Sequence, residues 1–152
     1  EIGSFAFSNC SKLNGEIVIG RSSSIMIGES AFSSTFITKL TVKSNFTEIC
    51  ANAFSGCENL TSVTLSEGID FDNPFVSSFD IHTFAYCTSL EKIKVGGLRE
   101  DWIIIFENSI GGGGEIEDLS WYSNTGSFVI EFDDGSTMTK AELDAFYAEL
   151  TA

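Results

Sequence analysis

The sequence predicts a β-rich solenoid, short parallel strands stacked copy on copy, closed at its C-terminal end by a small mixed β and helical unit. Three observations predict it. A pattern of apolar slots recurs four times in register over residues 1–95. Every copy ends in two apolar residues spaced by two. Beyond Val95 the pattern gives way to a hairpin signature and a capped amphipathic helix.

The third copy is the fullest: Ile49-Cys50-Ala51-Asn52-Ala53-Phe54-Ser55-Gly56-Cys57-Glu58-Asn59-Leu60-Thr61-Ser62-Val63-Thr64-Leu65, with apolar slots at Ile49, Ala53, Phe54, Cys57, Leu60, Val63 and Leu65. Copy one aligns on Phe7 as Ile2-Gly3, Ala6-Phe7, Cys10, Leu13, Ile17 and Ile19, with one extra residue before its last two slots. Copy two is one residue shorter and runs Ile27-Gly28, Ala31-Phe32, Thr35, Ile37, Leu40 and Val42. Copy four runs Phe79, Thr83-Phe84, Cys87, Leu90, Ile93 and Val95. The copies lie near residues 1–20, 25–43, 47–66 and 79–95, and their Phe anchors stand 25, 22 and 30 residues apart. The long last step is an insertion, Gly68–Ser78, expected to bulge as a loop because the register resumes after it.

Two apolar residues spaced by two mark a strand with one buried face. Stacked copies then form a parallel sheet, and the Phe, Cys and Leu slots form interior ladders in which each copy covers the apolar face its neighbour cannot bury alone. Phe7, Phe32, Phe54 and Phe84 are all expected to be buried in one ladder. The spacing is close to the ~20–29 residues of leucine-rich repeats, except at the insertion. The fold class is therefore an α/β-type leucine-rich-repeat solenoid of the β-rich kind.

The pattern Ile-Gly-x-x-Ala-Phe-x-x-Cys-x-x-Leu-x-x-Ile-x-Ile resembles the BspA-type leucine-rich repeats, common in surface proteins of host-associated bacteria and some parasitic protists. The likeness covers residues 1–95, and Gly97–Ile103 resembles a Gly-x-x-x-x-Trp segment that often follows the last such repeat. Thr35 in the Cys slot, Cys50 in a Gly slot and Phe79-Asp80 in place of Ile-Gly depart from the pattern. The resemblance implies that the Cys slot is a small buried apolar position, with thiols at Cys57 and Cys87 that are neighbours in one ladder and within geometric reach of a disulfide.

Residues 96–152 read as a capping unit. Trp102–Phe106 is an apolar run suited to a strand or helical turn covering the open end of the stack. Gly111–Gly114 follows as a loop, without the Gly-Lys-Ser/Thr of a phosphate cradle. Phe128–Phe132 alternates as a strand, Asp133-Asp134-Gly135 is a turn, and Thr137-Met138 returns as the second arm of a hairpin. Thr139 and Glu142 make a capping box, with Met138 and Leu143 as its hydrophobic staple. Leu143, Phe146, Tyr147 and Leu150 recur at helical spacing, which places a helix over 140–150 with Glu142, Asp144 and Glu149 in solvent.

A chain of 152 residues with 43% apolar content and 14 Phe is enough for one domain with a core. The formal charge of −14, from 22 acids against 8 bases, opposes binding to nucleic acid or anionic membrane over the whole surface. Residues 96–152 hold 12 of the acids and 2 of the bases, so the C-terminal part is the acidic one. No run of about 20 apolar residues is present to span a bilayer, and no charged and apolar leader opens the chain. Because it opens inside a repeat on Glu1, the chain is expected to be part of something longer.

Little points to chemistry. Cys10, Cys50, Cys57 and Cys87 have neither a CxxC pair nor zinc-ligand spacing, and His82 is the sole imidazole, so no metal or cofactor is expected. A Ser or Cys nucleophile would need His82 as its base, yet His82 falls in a variable turn. With 22 acids some carboxylate pair falls at a glycosidase separation by chance. Glu67, Asp70, Asp72 and Asn73 lack the Gly and Glu of an EF-hand loop. Asn9-Cys10-Ser11, Asn45-Phe46-Thr47 and Asn59-Leu60-Thr61 fit the glycosylation sequon, which is informative in a eukaryotic secretory protein alone.

Strand residues between the inward slots point out of the sheet. Glu16, Val18, Lys39, Thr41, Lys43, Ser62, Thr64, Ser66, Lys92 and Lys94 thus share a face with four of the eight basic residues and one acid. Either these lysines resist edge and face association, or Lys39, Thr41, Lys43, Ser62, Thr64, Ser66, Lys92 and Lys94 form a recognition surface for an anionic ligand. The resemblance implies a non-catalytic binding or adhesion module of a secreted or cell-surface protein, with host protein or glycan as partner and no nucleic acid or membrane insertion. The alternative is a structural or assembly domain of a larger complex, such as a fibre or virion component, docked through its acidic C-terminal unit.

Overall fold

A computed structural model describes residues 1–65, 78–79, 82–108 and 121–150. Its elements are β1 (Asn14–Ile27), β2 (Phe36–Ile49), β3 (Ser62–Leu65), β4 (Ser78–Phe79), β5 (Lys92–Val95), α1 (Arg99–Asn108), β6 (Val129–Glu131), β7 (Thr137–Thr139) and α2 (Lys140–Leu150). The strands form one sheet in the order β1-β2-β3-β5-β6-β7, with β4 paired to β2. All pairs are parallel except the last, β6 with β7. Residues 68–77 of the expected insertion, its acids Asp70 and Asp72 among them, together with Glu67 and Gly111–Gly114, lie outside the described residues. Ser78, the last residue of the expected insertion, belongs to β4.

Strands β1 and β2 are longer than two slots predict because each joins two runs of β structure. The second run leads into the Ile slot of the next copy, which gives a second line of pairing: Ile2 bridges Ile27, Ile27 pairs with Ile49, and Ile49 pairs with Phe79. Of the two register shifts in β1, the second, between Ile19 and Ser22, contains Gly20, whose φ is +97° and whose added Cβ would stand 2.6 Å from the Lys43 carbonyl oxygen. Any side chain there would collide with backbone.

Each turn places left-handed residues two before and two after its Phe: Phe5 and Asn9, Ser30 and Ser34, Asn52 and Gly56, His82 and Tyr86. That conformation is unfavourable for residues other than Gly and, to a lesser degree, Asn. Hydrogen bonding to the next copy compensates. The amide of each Phe donates to the residue before the next copy's anchor, Phe7 to Ala31, Phe32 to Ala53, Phe54 to Thr83 and Phe84 to Trp121, at 2.7–2.9 Å. The amides of Asn9, Ser34, Gly56 and Tyr86 donate in the same way to Ser33, Ser55, Ala85 and Ser123. The turns are thereby laced together and their backbone polar groups satisfied.

The anchor rings stack at centroid separations of 5.0 Å (Phe7–Phe32), 5.1 Å (Phe32–Phe54) and 5.6 Å (Phe54–Phe84). Phe32, Phe54 and Phe84 are buried, but Phe7 is 42% exposed. The expectation that all four are buried is corrected there: the first ring of the described ladder has a neighbouring anchor on one side alone. The Cys slot also does more than fill space. The Cys57 thiol donates to the Phe32 carbonyl and the Cys87 thiol to that of Phe54, both at 3.2 Å, while the Thr35 hydroxyl donates to Phe32 at 2.9 Å. A small donor, thiol or hydroxyl, is what the slot requires. All four cysteines are free. Burial pushes both buried thiols up, and the neighbouring Cys57 pushes Cys87 further.

The repeat also continues past Val95 in disguise. Because the Phe84 amide bonds to Trp121, Tyr122 stands in the Phe position of a fifth copy. Thr125 takes the Cys slot, its hydroxyl donating to the Tyr122 carbonyl at 2.7 Å as Thr35 does to Phe32. Phe128 takes the Leu slot and Ile130 pairs with Ile93, so β6 extends the parallel sheet. Antiparallel β7 ends that run, and the helices close the end. The apolar run at 102–106 forms helix α1, because Trp102 and Phe106, four apart, lie on one face and are both buried. Phe106 packs against Trp121 at 6.4 Å and against Phe146 and Tyr147 of α2 at 6.3 and 6.5 Å. The cap of α2 is complete: the Glu142 amide donates to the Thr139 hydroxyl at 3.2 Å, and the Thr139 amide donates to the Glu142 carboxylate at 2.8 Å.

Candidate ligand face on the sheet

Strand register arranges the outward side chains in two rows. One runs Glu16, Lys39, Ser62, Lys92, Val129, and the other Val18, Thr41, Thr64, Lys94, Glu131. Between them the inward row Ile17, Leu40, Val63, Ile93, Ile130 packs into or against the core. The same alternation exposes Lys39, Lys92 and Lys94. Lys39 and Lys92 stand two strands apart, roughly 10 Å, with the Ser62 hydroxyl between them. Lys43 continues β2 beyond Val42 and is exposed, while Ser66 lies outside the described residues.

The hidden fifth copy changes the electrostatics of this face. β6 brings in Glu131, whose carboxylate accepts a 2.6 Å hydrogen bond from the Lys92 ammonium. That bond, then the charge of Lys92 and more weakly that of Lys94, holds the Glu131 carboxyl below its ordinary range. The face therefore carries two acids, Glu16 and Glu131, where the repeats alone indicate one. Lys92 is committed to an exposed pair, weak in water but present. At the C-terminal end of the strands, Thr64, Leu65, Lys94, Val95, Gly96 and Asp133 line a cavity of about 240 Å³. The Asp133 carboxylate is held there by the Gly97 amide at 2.7 Å.

The chemistry available is that of ammonium and hydroxyl donors on a rigid floor. His82 sits half-buried in the left-handed turn of copy four. Among the described residues there is no group of three or more His, Cys, Asp or Glu arranged to hold a metal ion, and no helix long and apolar enough to cross a membrane.

The repeat geometry has a direct counterpart among known families. A family model described as "BspA type Leucine rich repeat region (6 copies)" matches residues 1–99. The chain belongs to that family. No curated protein and no solved structure matches it. BspA-type repeats occur typically in surface and protein-interaction regions and are generally non-catalytic. The matched span ends at Arg99, so the fifth copy at 121–132, with its altered slot residues, falls outside it.

Proposed function

We propose that this BspA-type chain is the capped end of a solenoid that works as a non-catalytic binding or adhesion module at a cell surface, and that it takes its ligand on the sheet face. The observation that carries the reading is the reversal of charge: on a chain of −14, Lys39, Lys92 and Lys94 stand in register on one face with the hydroxyls of Thr41, Ser62 and Thr64 among them, and Lys43 continues β2 beyond that register. Repulsion from the rest of the surface penalises an anion elsewhere. The ligand is an anionic glycan, sulfated or sialylated, or an acidic protein patch, taken by Lys39, Lys43, Lys92 and Lys94, of which Lys92 must exchange its bond to Glu131 for the ligand. Exposed ammonium groups give screened contacts, so binding fades between low and physiological salt. A glycan array or calorimetry with sulfated oligosaccharides, comparing the native chain with a variant carrying Glu at Lys39, Lys43, Lys92 and Lys94, tests this. Loss of binding in the variant is expected, and equal binding by the two proteins overturns the reading.

A further inference from the structure

We propose a second binding site, separate from the lysine face, in the hollow between the second and third turns: a subsite for one neutral pyranose ring. The observation that starts the argument is Phe36. The position after the Cys slot is Ser11, Phe36, Glu58 and Thr88 in the four copies, exposed in every one, so the repeat requires nothing apolar there. Phe36 is nonetheless an aromatic ring left 49% exposed. With Ser34, Thr35, Gly56, Glu58 and Asn59 it lines a cavity of about 230 Å³.

The backbone of this cavity's walls is held by hydrogen bonds before any ligand arrives. The Ser34 amide bonds to the Ser55 carbonyl at 2.8 Å, that of Phe36 to Leu13 at 3.0 Å, and that of Glu58 to Gly56 at 2.9 Å. Gly56 also keeps the hollow open, since a Cβ on it would press to 3.1 Å from the Ser34 hydroxyl. A backbone frame held in this way does not have to be ordered on binding.

The lining selects the ligand. Among the described residues no basic side chain lines the cavity and Glu58 does, which disfavours anions on a chain of −14. A cationic side chain would find a single exposed carboxylate, a weak and screened partner. A pyranose uses four of the lining side chains: its C–H face lies on the Phe36 ring, and its hydroxyls donate to the Glu58 carboxylate and exchange hydrogen bonds with the Asn59 amide and the Ser34 hydroxyl. The volume is below the ~300–1,000 Å³ typical of drug-sized ligands, which suits one ring rather than a chain of them.

The test is amide chemical-shift perturbation on the full chain, prepared in a host that does not glycosylate Asn59, which opens a sequon. The probes are methyl glucopyranosides, galactopyranosides and mannopyranosides, with butylammonium as the cationic control. Saturable shifts at Ser34, Gly56 and Asn59 are expected with at least one glycoside, weakened tenfold or more in Phe36→Ser, retained in Phe36→Tyr, and untouched by the four lysine-to-Glu changes. Phe36→Ser is expected to keep the native melting temperature within a degree or two, because copy one carries Ser at that position. Absence of glycoside-induced shifts, unchanged binding in Phe36→Ser, or tighter binding of butylammonium than of every glycoside would overturn the proposal.

Discussion

Truncating Phe54 to Ala is expected to destabilise the protein far more than the same change at Phe7. Phe54 is fully buried and stacks on Phe32 at 5.1 Å and on Phe84 at 5.6 Å. Burial of a Phe side chain contributes ~1.5–3 kcal/mol, and each stacked pair adds ~0.5–1.5 kcal/mol. The flanking turns are tied to their neighbours by backbone hydrogen bonds, so the rings on either side cannot close the gap. The total falls at about 3–5 kcal/mol, the usual range for Phe→Ala in a core. Phe7 is 42% exposed and stacks on one anchor ring, which scales its cost to about 1–2 kcal/mol. Urea unfolding followed by the fluorescence of Trp102 and Trp121 measures both. A cost under ~1 kcal/mol at Phe54, well below the range for a buried Phe, or equal costs at the two positions, would show that the anchors do not form the ladder.

Thr139→Ala is expected to cost about 1 kcal/mol by removing the hydroxyl half of the α2 cap, read from thermal melts followed by circular dichroism. The Glu142 carboxyl lies below its ordinary 4.5, chiefly through the Thr139 amide hydrogen bond, so its contribution is present above that value and lost as pH falls through the lower folded one. Glu142→Gln should accordingly blunt the acid destabilisation seen in melts between pH 6 and pH 3, windows set by that ~4.5 reference. At the other end of the scale, Cys57 and Cys87 are raised above 9.0 by burial, so their contribution is complete below the unfolded value and fades as pH rises past it. Cys57→Thr with Cys87→Thr, copying Thr35, should lose less stability between neutral pH and a pH above 10, and equal losses would contradict the assignment. Gly56→Ala forces a side chain to φ +72° and 3.1 Å from the Ser34 hydroxyl, and is expected to cost roughly 1–2 kcal/mol in urea unfolding.

The repeat was legible because its slots keep both identity and spacing: Phe54 to Leu60 and Phe84 to Leu90 are the same step. The fifth copy keeps the step, Tyr122 to Phe128, but places Tyr, Thr and Phe in the Phe, Cys and Leu slots, and that substitution hid it. The cost of missing it was electrostatic, since Glu131 reaches Lys92 only when β6 joins the sheet. The left-handed pairs around each Phe were not legible either. Phe5 and Tyr86 carry no turn signature, and their conformation is imposed by hydrogen bonds from one copy to the next. The α2 cap was readable because it is local: Thr139 and Glu142 are three residues apart and need no tertiary contact to find each other. For the candidate face, alternation placed Lys39, Lys92 and Lys94 outward, but no sequence pattern marks the cavity that Asp133 closes beside Lys94.

Two single changes of opposite sign test the claim that the sheet face recognises anions. Glu131→Gln removes the carboxylate that holds Lys92 and so releases an ammonium to the face, while Lys94→Glu reverses the charge beside Thr64. Calorimetric titration of each variant and of the native chain with one sulfated oligosaccharide at low salt gives the comparison. The account predicts tighter binding for Glu131→Gln and weaker binding for Lys94→Glu. Affinities that are unchanged, or that move in the same direction in both variants, would contradict it.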